Sequence, residues 1–225
     1  VHLPSPAGLA EVRKARAAGQ RHFGVETCTQ YLTLTEEAYS DPQEGLKAVM
    51  SPPLRTGADC EALWGGLADG SVDAVATDHC PFRFAVEKQY GVGDFTACPN
   101  GAPGVEERLP VLYSEGVAKG RITLPQLVRL ACTEPSRLYG LYPQKGTIQP
   151  GADADVVILD PNGTRTLTQS TLHSAADYTC YEGMELQGKI DLVLSHGEVI
   201  VQDNQFLGRK GAGRYLKRGR SCLAE

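Results

Sequence analysis

The chain has 225 residues, with 22 Lys and Arg against 27 Asp and Glu, a formal net charge of -5. So mild an acidity argues against a nucleic-acid or anionic-membrane partner, and no apolar run approaches the roughly 20 residues a bilayer-spanning helix needs. Apolar residues at 41% and charged residues at 22% are ordinary globular values, and the length suits one large or two small domains.

In chain order, Val1-His2-Leu3 reads as the end of a strand already under way, and no signal-peptide pattern stands before the fold. A helix is expected from Ala7 to Ala18, with Leu9 and Val12 on its apolar face and Gly19 as its stop. A strand at 22–26 follows, then a stretch from Cys28 to Gly57 that carries Pro42, Pro52 and Pro53 and reads as loop with one short helix. Asp59 is a candidate N-cap for a helix at 59–69, and Val72 to Thr77 reads as a strand. Strand, helix, strand, loop, helix, strand is the alternation of a parallel sheet or barrel.

After Asp78 a Gly/Pro-rich loop runs to Gly104. Helices are expected at 105–117, 124–131 and 134–139, the last with Thr133 as N-cap and Pro135 in its first turn. Beyond Gly146 short strands are expected at 147–148, 154–159, 192–195 and 198–201, with His196-Gly197 as a hairpin turn. Gly208 to Arg220 reads as a Gly-, Lys- and Arg-rich tail that packs on something or frays. The seven cysteines (28, 60, 80, 98, 132, 180, 222) are scattered, with no C-x-x-C pair. That pattern predicts free thiols in a reducing compartment, and hence a cytoplasmic protein.

The chemistry concentrates at Val75-Ala76-Thr77-Asp78-His79-Cys80-Pro81-Phe82, where a buried strand gives way to a loop. Asp78 at a strand end suits a metal ligand or general base, and equally an N-cap or salt-bridge partner. His2, also at a strand end, could ligate metal through a neutral imidazole or be a plain surface residue. His79 follows Asp78 directly, so strand alternation turns it from Asp78's face and leaves it at most a support behind the ligands. His22 and His173 have no acidic or turn context and read as structural, and Cys80 as a buried packing thiol. The prolines of Ser51-Pro52-Pro53-Leu54-Arg55 and Pro99-Asn100-Gly101-Ala102-Pro103-Gly104 stiffen two loops around Ser51 and Asn100. Free amide and carbonyl groups on rigid loops suit a small cyclic amide, and plain turns fit the same composition.

Taken in order, several segments resemble the C-terminal half of a hydantoinase/dihydropyrimidinase of the amidohydrolase superfamily. They are Val1-His2-Leu3, Glu26-Thr27-Cys28-Thr29-Gln30-Tyr31-Leu32, the Ser51 and Asp78 segments, and Pro99 through Arg108. Gly140 through Gly146, Gly151 through Asp155, Tyr181-Glu182-Gly183-Met184-Glu185 and the basic tail complete the set. The resemblance implies an α/β fold: the C-terminal part of a (β/α)8 TIM-type barrel (about strands 6–8) at 1–145, a small β-sandwich segment at 146–205, and a basic Gly-rich tail at 206–225.

It further implies that His2 and Asp78 are metal ligands at the ends of strands six and eight. Asp78 would double as the catalytic proton shuttle, and the main chains at Ser51 and Asn100 would hold the ring. The implied cofactor is a pair of divalent ions, usually zinc; the implied partners are a small cyclic amide and, for the full-length protein, other copies in a homotetramer. The family's H-x-H pair, carboxylated lysine, further histidine and carbonyl-polarising tyrosine are not among these residues. A catalytic zinc needs at least three protein ligands and this chain offers two, so the chain alone is expected to be inactive and to bind metal poorly. A non-catalytic scaffold relative is the first alternative, against which the pair His2 and Asp78 speaks; an allantoinase- or dihydroorotase-type cyclic amidase is the second.

Overall fold

The computed structural model describes residues 1–224. Helix α1 (Pro6–Ala17) starts with Pro6 at its first position, where a missing N–H is no loss, and gives way to Gly19 at φ +86°. Strand β1 (Glu26–Cys28) begins where the expected strand was to end, and helix α2 (Thr29–Thr33) follows it without a break. The stretch to Gly57 holds more order than expected: two 3-10 turns, Glu36–Tyr39 and Glu44–Ala48, besides α2.

Helix α3 (Gly57–Ala68) is capped by Thr56, not Asp59. Asp59 stands three residues in, where its carboxylate accepts from the Thr56 N–H at 3.0 Å while Thr56 Oγ1 accepts from the Asp59 N–H at 3.3 Å. That reciprocal pairing satisfies two otherwise orphaned donors, so it outcompetes a cap by Asp59. Strand β2 (Ala74–Ala76) then pairs in parallel with β1, Glu26 opposite Ala74 and Cys28 opposite Ala76. Leu3 flanks the other edge of β1: its N–H donates to Glu26 O at 3.0 Å, and Thr27 Oγ1 donates to Leu3 O at 2.7 Å. Leu63, Trp64 and Leu67 of α3 pack with Leu9, Val72 and Val75 into one buried core.

Helix α4 (Arg108–Val111) continues as a π-helix through Leu112–Ala118. The expected second and third helices are one run: α5 (Leu124–Val128), a π turn at Arg129–Thr133, and α6 (Glu134–Leu138). Thr133 is helical at φ -69° and caps nothing. Pro135 could not follow a regular α turn, because it lacks an N–H and its ring meets the carbonyl of residue 131. The wider π turn absorbs it, and the released Ala131 carbonyl accepts from Arg108 Nη1 at 3.4 Å.

The last third is a four-stranded antiparallel meander: β3 (Val156–Thr166), β4 (Glu185–Ser195), β5 (Glu198–Gln202) and β6 (Gln205–Phe206). Among the described residues it is one sheet, and no strand forms at 147–148, where Ile148 is exposed. Asp160-Pro161-Asn162-Gly163 looks like a turn in sequence, but β3 passes it as an irregularity between Asp160 and Thr164. The hairpin at His196-Gly197 is present, with both residues at positive φ (51° and 80°) as a type I′ turn demands. A second such turn at Asp203-Asn204 leads into β6, too short to leave an alternation signal. Leu186 packs with Val111, Leu167 and Tyr181, so the sheet module docks on the helix that begins at Arg108.

Candidate functional site

The carboxyl end of the small parallel sheet brings His2 and Asp78 together, with His2 Nε2 3.6 Å from Asp78 Oδ1. Both side chains are partly exposed, about a third of their surface open (29% and 36%), so the pair faces outward from the core. Both also sit in the left-handed backbone region, His2 at φ 55° and Asp78 at φ 49°. Only three other non-glycine residues among those described share it, His196, Asp203 and Asn204, all in hairpin turns. A positive φ costs a non-glycine residue on the order of 1 kcal/mol or more, and no hairpin explains it at His2 or Asp78. Such strain gathers where a site dictates a side chain's direction.

Glu26, quoted in the sequence motif but given no role there, completes the arrangement. Its Oε1 lies 2.9 Å from His2 Nδ1 and accepts from the His2 backbone N–H at 3.2 Å. A neutral His2 that donates from Nδ1 to Glu26 turns its Nε2 lone pair toward Asp78. In that tautomer two acceptors stand 3.6 Å apart, a spacing that suits a cation between them, as a proton on Nε2 also would. Donors each about 2.1 Å from a tetrahedral ion stand about 3.4 Å apart, so His2 Nε2 and Asp78 Oδ1 fit adjacent positions on one metal ion. The signal for Glu26 was a period of two: Glu26 and Cys28 share one face of β1.

His2, Glu26 and Cys28 also converge, their donor atoms within 4.8 Å of one another. Cys28 Sγ lies 3.5 Å from His2 Nδ1. Burial, with the Glu26 and Asp78 carboxylates nearby, drives the Cys28 thiol far above its ordinary value. Nδ1 is engaged by Glu26, so the open donor of His2 is Nε2.

The Ser51 and Asn100 loops meet: Ser51 Oγ is 3.5 Å from Asn100 Oδ1, and Gly101 N donates to Val49 O at 3.0 Å. Tyr31 Oη donates to Pro52 O at 2.9 Å, fixing the first loop to α2, and Gln30 Nε2 donates to Thr77 O at 3.1 Å, fixing the peptide before Asp78. Ser51 and Asn100 border a cavity of about 610 Å³ walled by Leu46, Val49, Met50, Pro53 and Phe95. His2 and Asp78 are not among its walls. The second loop is tied to the Asp78 strand as well, since Cys80 N donates to Ala102 O at 3.1 Å.

His79 Nδ1 accepts from the Gly104 and Val105 N–H groups at 3.2 and 3.3 Å, so the imidazole carries its proton on Nε2 and pins the turn that leads into α4. One expectation fails here, and one residue gains a partner its sequence neighbours do not show. Cys80 is exposed, not buried, because the chain has left the sheet at Asp78. His173 does have an acidic partner, Glu106 Oε1 at 2.9 Å from Nδ1, brought from 67 residues away by the fold.

Gly101 is the tightest point of this junction. Its φ is +143°, and a Cβ there would stand 2.4 Å from Cys80 O. Gly101→Ala is therefore expected to destabilise the protein by about 2 kcal/mol or more and to push Asn100 away from Ser51. Urea unfolding checks this, and an unchanged midpoint would refute the close approach.

Residues 19–200 match the Amidohydrolase family. The D-phenylhydantoinase of Escherichia coli O1:K1 is 49% identical over 218 residues, which cover 97% of this chain and 47% of that protein. The dihydropyrimidinase from Brevibacillus agri NCHU1002 superposes with a TM-score of 0.95 at 43% identity, covering 98% of this chain and 48% of the other. The D-hydantoinase from Bacillus sp. AR9 gives the same TM-score of 0.95 at 45% identity, with 98% and 48% covered. The chain thus spans about half the length of the relatives it matches.

Proposed function

The chain belongs to the amidohydrolase family, and we propose that it supplies the His2–Asp78 side of the metal site, and the ring-holding loops, of a hydantoinase/dihydropyrimidinase. The reaction is hydrolysis of a cyclic amide bond in a dihydropyrimidine or a 5-substituted hydantoin, giving an N-carbamoyl amino acid. In this reading the segment at 1–145 is about strands six to eight of a TIM-type barrel and 146–205 belongs to a β-sandwich. One observation carries the proposal: His2 and Asp78, both held left-handed beside the carboxyl end of the small parallel sheet, bring Nε2 and Oδ1 within 3.6 Å of each other.

His2 Nε2 and Asp78 Oδ1 would hold a divalent ion, zinc by family habit, which when bound lowers the pKa of a water and polarises the ring carbonyl. Asp78 takes the proton of the attacking water and returns one to the leaving ring nitrogen, the double role of a carboxylate beside both reacting atoms. The main-chain N–H and C=O groups at Ser51 and Asn100 hold the donors and acceptors of the cyclic amide. His79 keeps the Gly104–Val105 turn, and with it the second loop, in place. Free thiols support a reducing, cytoplasmic setting, and the full-length enzyme is a tetramer in this reading.

Two ligands fall short of the three a catalytic zinc requires, so the remaining donors come from outside this sequence. The isolated 225-residue chain is expected to hold substoichiometric zinc and to turn over no hydantoin, whereas the complete protein opens dihydrouracil or 5-substituted hydantoins faster than allantoin. Metal analysis and a substrate panel test both statements. Tight stoichiometric zinc with turnover in the isolated chain would sink the shared-site reading, and allantoin as the best substrate would move the protein to a neighbouring amidase.

A further inference from the structure

Lys88 has no exposed surface (0%). Its Nζ donates to two backbone carbonyls, Val49 O and Pro99 O, each at 2.9 Å. Among the described residues no carboxylate stands within ion-pair distance of it, and the face of Phe82 lies 5.9 Å away. Burial alone draws its pKa below the ordinary lysine value. A buried cation with only carbonyls and a ring for partners is a costly way to fill space, and a methionine would occupy nearly the same volume without that penalty.

What an ammonium does here that hydrocarbon cannot is join two dipoles. Val49 O belongs to the peptide that leads into Met50-Ser51, and Pro99 O to the peptide that leads into Asn100. Val49 O also accepts from Gly101 N at 3.0 Å, so Lys88, Val49, Pro99 and Gly101 form one knot behind the wall of the cavity. A carbonyl that accepts from a charged donor is polarised, which makes the N–H of the same peptide a stronger donor. The peptides so affected end in Met50 N and Asn100 N.

We infer that Lys88 is a positioning residue for substrate: it cross-links the Ser51 and Asn100 loops through their preceding carbonyls and so sets the spacing of the two main-chain contacts to the ring. This rests on the cyclic-amide reading above. Lys88 touches neither the ring nor the metal ligands. Its loss therefore acts on ring binding, while His2 and Asp78 keep their metal.

The test uses the complete protein and compares wild type, Lys88→Met, Lys88→Gln and Leu130→Ala, the last a core truncation that makes no hydrogen bond to either loop. Metal content, kcat and KM are measured on dihydrouracil and a 5-substituted hydantoin. Lys88→Met is expected to keep its metal, to raise KM about tenfold or more and to change kcat less than threefold. Lys88→Gln, which retains an amide donor, should fall between it and wild type. Leu130→Ala should lose stability without a KM change. Should Lys88→Met not fold, Lys88→Gln decides by the same split. An unchanged KM in a folded variant overturns the inference, as does a parallel loss of metal, kcat and KM, and failure of both variants to fold assigns Lys88 to the core alone. A wild type that opens neither ring removes the functional reading itself, and the inference with it; a wild type that turns over beside an indifferent Lys88→Met removes only the inference.

Discussion

Asp78→Asn in the complete protein is expected to lower kcat for ring opening by about 10³-fold with no loss of folding stability. In the proposed mechanism the carboxylate is asked for two things an amide cannot do: to serve, 3.6 Å from His2 Nε2, as an anionic metal ligand, and to accept and return a proton. The fold asks little of it. Asp78 is partly exposed and sits at φ 49°, a region asparagine tolerates at least as well. Asp78→Gly goes further, since it removes the left-handed penalty and should raise stability by up to about 1 kcal/mol while abolishing turnover. Thermal unfolding beside kcat and metal content reads both effects. More than a tenth of wild-type kcat in Asp78→Asn would deny Asp78 the proton-shuttle role, and a marked loss of stability would make it structural.

The same strain marks how far the chain could be read in advance. The alternation of strands and helices up to Asp78 and the hairpin at His196-Gly197 were visible because each rests on a local rule: apolar periodicity, or a turn that needs positive φ. Elements that depend on distant partners were not. Strand β1 starts at Glu26 because that is where Leu3 and Ala74 can pair with it, and no property of residues 22–25 says so. The helix from Leu124 to Leu138 survives Pro135 because a π turn absorbs it and Arg108, 23 residues upstream of Ala131, takes the freed carbonyl. At the site, residue types and the family resemblance pointed to His2, Asp78, Ser51, Asn100 and His79. They gave Lys88 no signal and Glu26 only the period-two pattern of its strand, because the roles of both exist only once the sheet and the two loops have met.

Glu26 is where this difference can be measured. The carboxylate holds His2 twice, at Nδ1 (2.9 Å) and at the backbone N–H (3.2 Å), and so fixes both the tautomer and the strained backbone that aims Nε2 outward. A carboxylate behind a ligating histidine generally changes metal affinity 10- to 100-fold when removed, and Glu26→Ala is expected to weaken metal binding in the complete protein by about that factor. Glu26→Gln keeps an acceptor for the Nδ1 proton and should lose only part of it. Chelator competition gives the affinities. The rival arrangement, with metal held among His2, Glu26 and Cys28, makes a different prediction for Cys28→Ala. There a ligand is lost and affinity collapses, whereas here the metal sits at Nε2 beside Asp78 while Cys28 lies on the Nδ1 side of the ring, and affinity stays within about twofold. A collapse in Cys28→Ala would move the metal to the Nδ1 side of His2 and leave Asp78 without its ion.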